Sequence, residues 1–204
     1  MDTTAPTVSN VTASTANGSY TIGTTVNVQV VFSEVMYVVN IPQLALDLTS
    51  RTAQANYSSG SGTNTLVFQY AVAAGDTSAD LAYTSTSALT LNGGTIRDLA
   101  TNDATLTLAA PGAAGSLNFN RAIIIDTTAP TVTNVTSSTT DGSYKSGGVI
   151  SIQVSFSENV TVTLTPQLRL ATGGAGYNVN YSSGTGTSTL TFTYTVLAGH
   201  TSPN

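Results

Sequence analysis

Apolar and polar residues alternate with a period of two along most of the chain. Segment 26–32 places its valines at 26, 28 and 30 and Phe32 on one face of an extended backbone. Segments Leu66–Val72, Ile150–Phe156 and Leu190–Val196 alternate in the same way. Such alternation is typical of antiparallel strands with one buried face, and we find no convincing helical pattern beside it.

Turn signals divide the rest of the chain into further short strands. Asn17-Gly18, Gly60-Ser61-Gly62 and Asn92-Gly93-Gly94 are examples of these signals. Many short strands at this spacing predict an all-β fold, an Ig-like antiparallel β-sandwich. A closed barrel is the alternative. The further predicted strands are Thr7–Ser14, Gln43–Leu48, Ala53–Ser58, Leu81–Thr84, Leu89–Leu91, Thr105–Leu108 and Leu117–Asp126.

The chain also repeats itself. Asp2–Val8 returns as Asp126–Val132, an offset of 126 − 2 = 124 residues that persists without a gap to the C-terminus. We therefore predict a complete Ig-like repeat at 2–125 and a partial second repeat at 126–204, which lacks the last strands. The frame is arbitrary, because 81–204 also contains one full period. We expect a fragment of a longer array whose partial copy is less stable or borrows strands from a neighbouring chain.

The copies differ most at Val35–Ile41 and Asp47–Ala55, which we interpret as loops or edge strands. Between the copies, Pro130 restricts the backbone and favours an extended conformation at Ala129. The sequence therefore predicts a short and stiff linker, in contrast to a flexible Gly/Ser tether.

The composition excludes several classes of function. Charged residues make up 7% of the chain, and the net charge is −5, so nucleic acid and anionic membrane surfaces are poor candidate partners. The chain has no cysteine, which excludes disulfides and thiolate metal sites. No apolar run is long enough to cross a bilayer, so we predict no direct membrane insertion.

The sequence offers no pattern typical of a catalytic site. Its one histidine, His200, corresponds to Asp76 in the first copy. We find no nucleophile elbow, zinc-ligand spacing, P-loop or dinucleotide motif. We therefore predict that the chain is not an enzyme and has no catalytic residues.

The acidic residues are scarce, and several recur in both copies. Calcium prefers six to eight oxygen ligands, including carboxylates and Asn amides. An Asp in the linker, a Glu at a strand end and an Asp-rich loop can supply such ligands at a junction between domains. The candidate metal ligands are Asp2, Glu34, Asp98, Asn102, Asp103, Asp126 and Glu158.

Each of these acids also has an interpretation without a metal. Asp2 and Asp126 precede Thr-Thr and can cap a turn through their side chains. Glu34 and Glu158 can be exposed residues at strand ends, and 98–103 can be a solvated loop. The spacing alone leaves both interpretations open, because it does not match an EF-hand.

The junction Asp126–Val132, the strand end Val154–Glu158 and the loop Asp98–Asn102 together resemble bacterial Ig-like tandem repeats. Such repeats form the stalks of large cell-surface adhesins and swimming-motility-associated surface proteins. In related adhesin arrays calcium binds between consecutive domains and stiffens the rod. This loop has Thr101 where the commoner family form has glycine. By motif, the resemblance implies calcium ligation by Asp126, Glu158, Asp98 and Asn102, with Asp2 and Glu34 as the equivalents facing an upstream domain.

The sequence and the resemblance together predict a structural stalk segment of a secreted or surface-anchored bacterial protein. Its expected partners are neighbouring repeats of the same chain and a host-surface or biofilm ligand at the end of the array. Its expected location is extracellular, at the bacterial cell surface. One alternative is an Ig-like module that binds a glycan through its variable loops. Another is an accessory domain of a secreted polysaccharide-degrading enzyme.

Overall fold

The computed structural model describes residues 2–202. It divides into two compact units, unit 1 (Met1–Thr128) and unit 2 (Ala129–Asn204). Strands account for 50% of the chain and helix for 2%, and the curled antiparallel sheets form a sandwich-like fold. The all-β prediction is therefore confirmed. Within the described residues no helix has the length and hydropathy needed to cross a membrane.

Unit 1 contains the strands β1–β11 and one four-residue helix, α1. Short strands separated by glycine-rich turns follow from the alternation and turn signals in the sequence. In chain order the elements are β1 (Val8–Ala13), β2 (Gly18–Tyr20), β3 (Thr25–Val39), β4 (Gln43–Asp47), β5 (Thr52–Ser59), β6 (Thr63–Ala71), β7 (Thr77–Ser78), β8 (Ala82–Tyr83), β9 (Leu89–Thr90), β10 (Thr95–Arg97), α1 (Leu117–Asn120) and β11 (Ile123–Asp126).

The main sheet of unit 1 has the strand order β1-β3-β6-β5-β4-β8. The register of β3 shifts between Val31 and Met36, so β1 and β6 pair mainly with its first half and β10 with its second. β9 pairs with the start of β4. A smaller sheet holds β11 between β2, which is parallel to it, and β7, which is antiparallel.

The core of unit 1 forms from the alternating apolar positions. Val26 and Val28 of β3 and Phe68 of β6 are 0% exposed. Ile123 and Ile125 of β11 belong to the same buried cluster, so the two sheets share one core. Burial of alternate side chains fixes the register, because a shift by one residue would turn every apolar side chain towards water.

Unit 2 contains β12 (Val132–Ser137), β13 (Val149–Val160), β14 (Gln167–Leu170), β15 (Tyr177–Ser183) and β16 (Thr187–Thr195), in the sheet order β12-β13-β16-β15-β14. Its pairing reproduces that of unit 1 at the repeat offset. Val149 pairs with Thr195 as Thr25 pairs with Ala71, and both central strand pairs have a bulge at the same position.

The tight turn that precedes β6 in unit 1 recurs before β16 in unit 2. Gly60 and Gly184 have φ values of +108° and +111°, and a Cβ at either position would lie 2.1 Å from a backbone carbonyl oxygen. Glycine is therefore required at both positions, since no other side chain fits this close approach.

The core of unit 2 is smaller and less completely covered. Val154 is 7% exposed and Phe192 is 5% exposed, whereas the equivalent Val30 and Phe68 are fully buried. Ile150, Ile152 and Phe156 are half-buried at the edge of the cluster. Less apolar area is removed from water in unit 2, which is the physical reason to expect that it is the less stable copy. Its lower stability is a prediction.

Some predicted elements were wrong. The predicted strand Leu117–Asp126 begins as α1, because the Asn120 side chain donates hydrogen bonds to β1 at Asn10 Oδ1 and Val11 O, both at 2.8 Å. Thr105–Leu108 forms no strand, but only an isolated bridge from Thr105 to Thr7. Of the two alternatives for the variable segment that begins at Val35, the loop is wrong, because β3 continues up to Val39. The sequence pattern also missed the short strands β2, β7 and β10, which have two or three residues each.

Candidate metal centre

The pairing of β1 and β10 with β3 brings three acidic residues of unit 1 together. Glu34 lies within β3, and Asp98 follows β10 directly. The segment before β1 is attached to β3 by two hydrogen bonds, from Ser33 N to Thr7 O at 2.9 Å and from Thr7 N to Ser33 Oγ at 3.1 Å. Asp2, which lies at the start of this segment, therefore reaches the same part of unit 1.

One carboxylate oxygen from each of Asp2, Glu34 and Asp98 lies within 4.8 Å of the other two. Oxygens that share one calcium ion at about 2.3–2.6 Å lie within about 5 Å of one another, so this spacing fits a calcium ion. Asp2 is exposed, Glu34 is half-buried and Asp98 is only 4% exposed. The cluster therefore runs from the surface into unit 1.

Asn102 holds the innermost carboxylate in place. Asp98 accepts one hydrogen bond from Asn102 N and one from Asn102 Nδ2, both at 2.7 Å. The same Nδ2 donates to Asp2 O at 3.3 Å. Thr101 closes this loop with a φ of +70°, a left-handed conformation that glycine adopts with less strain. The turn thus forms with threonine at this position, at a cost in backbone strain.

Burial and the neighbouring like charges both disfavour the ionised form of Glu34. Burial raises the pKa of the Glu34 carboxyl, and the charges of Asp2 and Asp98 raise it further. The salt bridges among the described residues lie elsewhere, between Arg51 and Asp76 and between Arg97 and Asp103. A divalent cation would relieve the repulsion, and three carboxylates with an adjacent Asn suit calcium.

The remaining predicted ligands lie outside this cluster. Asp103 is 72% exposed and pairs with Arg97 at 2.6 Å. Asp126 Oδ1 accepts a hydrogen bond from Thr128 N at 2.9 Å, and Asp2 Oδ1 accepts one from Thr4 N at the same distance. Asp126 therefore caps a turn, and so does Asp2, although Asp2 also belongs to the cluster; turn capping is the alternative that the sequence left open.

The structure groups acids within unit 1, whereas the grouping predicted for the junction includes an acid of each unit and stays a prediction. Asp98 lies with Asp2 and Glu34 of the same unit, because β10 pairs with β3. The sequence had instead combined Asp98 and Asp103 with Asp126 and Glu158. Glu158 lies half-buried in β13 of unit 2, whereas Asp126 ends β11 of unit 1.

A second buried network in unit 1 was missed by the sequence interpretation. Asp76 is 0% exposed, and its carboxylate accepts hydrogen bonds from Arg51 Nε at 2.7 Å and Arg51 Nη2 at 2.9 Å. The hydroxyl of Tyr70 donates to Asp76 Oδ2 at 2.5 Å, and the Ala73 amide donates to the same oxygen at 2.9 Å. The network anchors the turn that follows β6.

Burial of Asp76 favours its neutral form. The hydrogen bonds from Arg51 and Tyr70 outweigh this effect and, together with the Ala73 amide, lower the pKa of Asp76. Burial and the bond to Asp76 raise the pKa of Tyr70 well above its ordinary value. Both oxygens of the buried carboxylate are hydrogen-bonded, which is typical of a structural ion pair.

Unit 2 replaces this network with different chemistry. His200 takes the position of Asp76 and Ala175 that of Arg51. Tyr194, the equivalent of Tyr70, has its hydroxyl 2.6 Å from His200 Nδ1. The Tyr177 ring packs edge-on against the imidazole at a centroid distance of 5.2 Å. The joint loss of the acid and the arginine was the sequence signal that these two residues are partners.

No protein-family model and no curated protein matches this chain.

Proposed function

We propose that the chain is a non-enzymatic spacer segment of an extracellular bacterial surface protein of the adhesin type. The observation that carries the proposal is that the five strands of unit 2 pair in the same order as their counterparts in unit 1 at one sequence offset, with the same bulge and the same glycine turn. Repetition of one unit extends a protein by a constant step, whereas catalysis would require a distinct site. Neighbouring repeats are the proposed partners, and a host-surface or biofilm ligand belongs to the end of the array.

Small-angle scattering of the full chain tests this spacer function. A compact globule of this length has a radius of gyration of about 17 Å. A spacer built from two consecutive units predicts a clearly larger value than that of one globule. A monomer with a radius near that of a single globule would overturn the proposal.

We further propose that calcium binds the acidic cluster of unit 1. Asp2, Glu34 and Asp98 would be the ligands, and Asn102 would hold the Asp98 carboxylate, as its two hydrogen bonds indicate. The bound ion would supply positive charge where three carboxylates now repel one another, and would tie the segment before β1 to β3 and β10. One ion would then hold three parts of unit 1 together.

Substitution of Glu34 separates calcium binding from general effects of charge. Glu34→Gln removes one ligand and one repelling charge. We expect the variant to melt at a higher temperature than wild type in chelator, and calcium to raise its midpoint far less. Glu158→Gln, at the equivalent position in unit 2, is the matched control. Thermal melts in calcium and in chelator would refute the site if wild type and Glu34→Gln gain equally from calcium.

A second candidate function, glycan binding by unit 1, is favoured by one surface feature. Val35, Tyr37 and Val39 lie at alternate positions of β3, and their exposed fractions are 43%, 42% and 57%. The second copy has asparagine or threonine at these positions (159, 161 and 163). An exposed tyrosine flanked by apolar side chains can stack on a sugar ring. Glycan-array binding that is lost in Tyr37→Thr would support this candidate.

A further inference from the structure

The last strand of unit 1 holds the chain in place up to its final residue. β11 lies between β2 and β7, and the side chains of Ile123 and Ile125 are buried. Asp126, the last residue of β11, pairs with Thr77 of β7. The backbone position is therefore fixed by strand pairing and by the core as far as Asp126.

Thr127 extends this attachment through its side chain. Its Oγ1 accepts a hydrogen bond from Gly75 N at 3.0 Å and donates one to Asp76 O at 3.0 Å. One hydroxyl thus satisfies a donor and an acceptor of the same turn. Two bonds on one hydroxyl also restrict the Thr127 side chain to a single rotamer.

The turn that receives Thr127 is anchored inside unit 1. The Asp76 carboxylate is fully buried and bound by Arg51 and Tyr70, and Asp76 N donates to Ala73 O at 3.2 Å. Gly75 closes the turn with a φ of +82°. The two groups that hold Thr127 are thereby fixed by a buried ionic network, although the turn itself lies at the surface.

We infer that Asp76 and Thr127 form an exit clamp, which sets the direction in which the chain leaves unit 1. Asp76 is a positioning residue that holds the turn, and Thr127 is the residue that contacts it. With the clamp closed, backbone freedom begins only after Thr127. Thr128 N donates a hydrogen bond to Asp126 Oδ1, and Pro130 restricts the backbone of Ala129.

The clamp acts at the exit of unit 1 and does not depend on the spacer function. A chain that is compact in scattering can still be clamped at Thr127, and an extended chain can lack the clamp. The two proposals therefore fail separately.

Amide hydrogen exchange of the full chain tests the contact directly. Thr127→Val removes the hydroxyl and keeps the branched shape of the side chain. We expect the Gly75 amide to exchange about tenfold faster in this variant, since one hydrogen bond is lost. The Asp76 amide, bonded to Ala73 O, should keep its wild-type rate. Thr3→Val changes the equivalent exposed residue of the first copy and is the matched control. An unchanged Gly75 rate in Thr127→Val would overturn the clamp.

Amide relaxation tests the effect on the exit of the chain from unit 1. With the clamp, the order parameters of the Thr127 and Thr128 amides stay near those of β11. We expect Thr127→Val to lower both values clearly and Thr3→Val to leave them unchanged. Equal values in wild type and Thr127→Val, or an equal loss in both variants, would refute the inference.

Discussion

Replacing Asp76 by alanine tests how much the buried network of unit 1 contributes to stability. The carboxylate accepts four hydrogen bonds, two from Arg51, one from Tyr70 and one from Ala73 N. The Arg51 side chain is 47% exposed, so water can replace its bonds and little cost is expected there. The Tyr70 residue is 2% exposed, so its hydroxyl would lose its partner away from water. An orphaned buried donor costs about 1–3 kcal/mol, and loss of a charge-assisted bond adds to it.

We therefore expect Asp76→Ala to lower the unfolding free energy of unit 1 by about 2–4 kcal/mol. Tyr70→Phe removes the donor, so the double variant should lose about 1–2 kcal/mol less than the sum of the single variants. Urea titrations followed by amide signals of β3 and β6 would measure each value in the full chain. Tyr194→Phe is the matched control in unit 2. A cost below 1 kcal/mol for Asp76→Ala, or additive single effects, would refute the assigned role of Tyr70.

Three further predictions concern the pH, the acidic loop and the order of unfolding. The pKa of Asp76 is lowered from its ordinary value of 3.8, so its stabilising contribution is complete above that pH and is lost as the pH falls through the lowered value. The difference in unfolding free energy between wild type and Asp76→Asn should therefore shrink in acid titrations as the pH falls through 3.8 and below, and a constant difference would contradict it. Thr101→Gly should raise the unfolding free energy of unit 1 by about 1 kcal/mol, because glycine adopts the left-handed conformation without strain; a lower value in urea titrations would count against strain at Thr101. Calorimetry should show unit 2 unfolding at a lower temperature than unit 1, since its core is smaller and less covered, and a single cooperative transition would refute this order.

The long strands could be predicted from the sequence because alternation and burial follow the same rule. β3 and β6 bury the side chains that the pattern places on one face, as Val28 and Phe68 illustrate. β2, β7 and β10 are too short to show a period, and their pairing depends on strands distant in sequence. The segment at Leu117 was predicted as a strand but forms α1. This helix is held by side-chain hydrogen bonds to β1, which no local pattern reveals.

The candidate site could be predicted in its residues but not in its grouping. Asp2, Glu34, Asp98 and Asn102 were all identified from their chemistry, yet the pairing of β10 with β3 decides which of them meet. Asp76 was missed because its counterpart in the second copy is a histidine. The two copies differ at this position, and Arg51 is replaced as well. This joint replacement was the sequence signal that Asp76 and Arg51 are partners.

The shared register of the two units has a consequence for folding. β6 and β16 carry the same alternation and the same preceding turn, and β3 and β13 present matching partners. β3 can therefore pair with β6 or with β16, and so can β13, with the backbone hydrogen bonds satisfied in each case. Strands exchanged in this way would trap a chain whose copies fold at the same time. Synthesis from the N-terminus reduces the competition, because β3 and β6 can pair before β13 and β16 leave the ribosome.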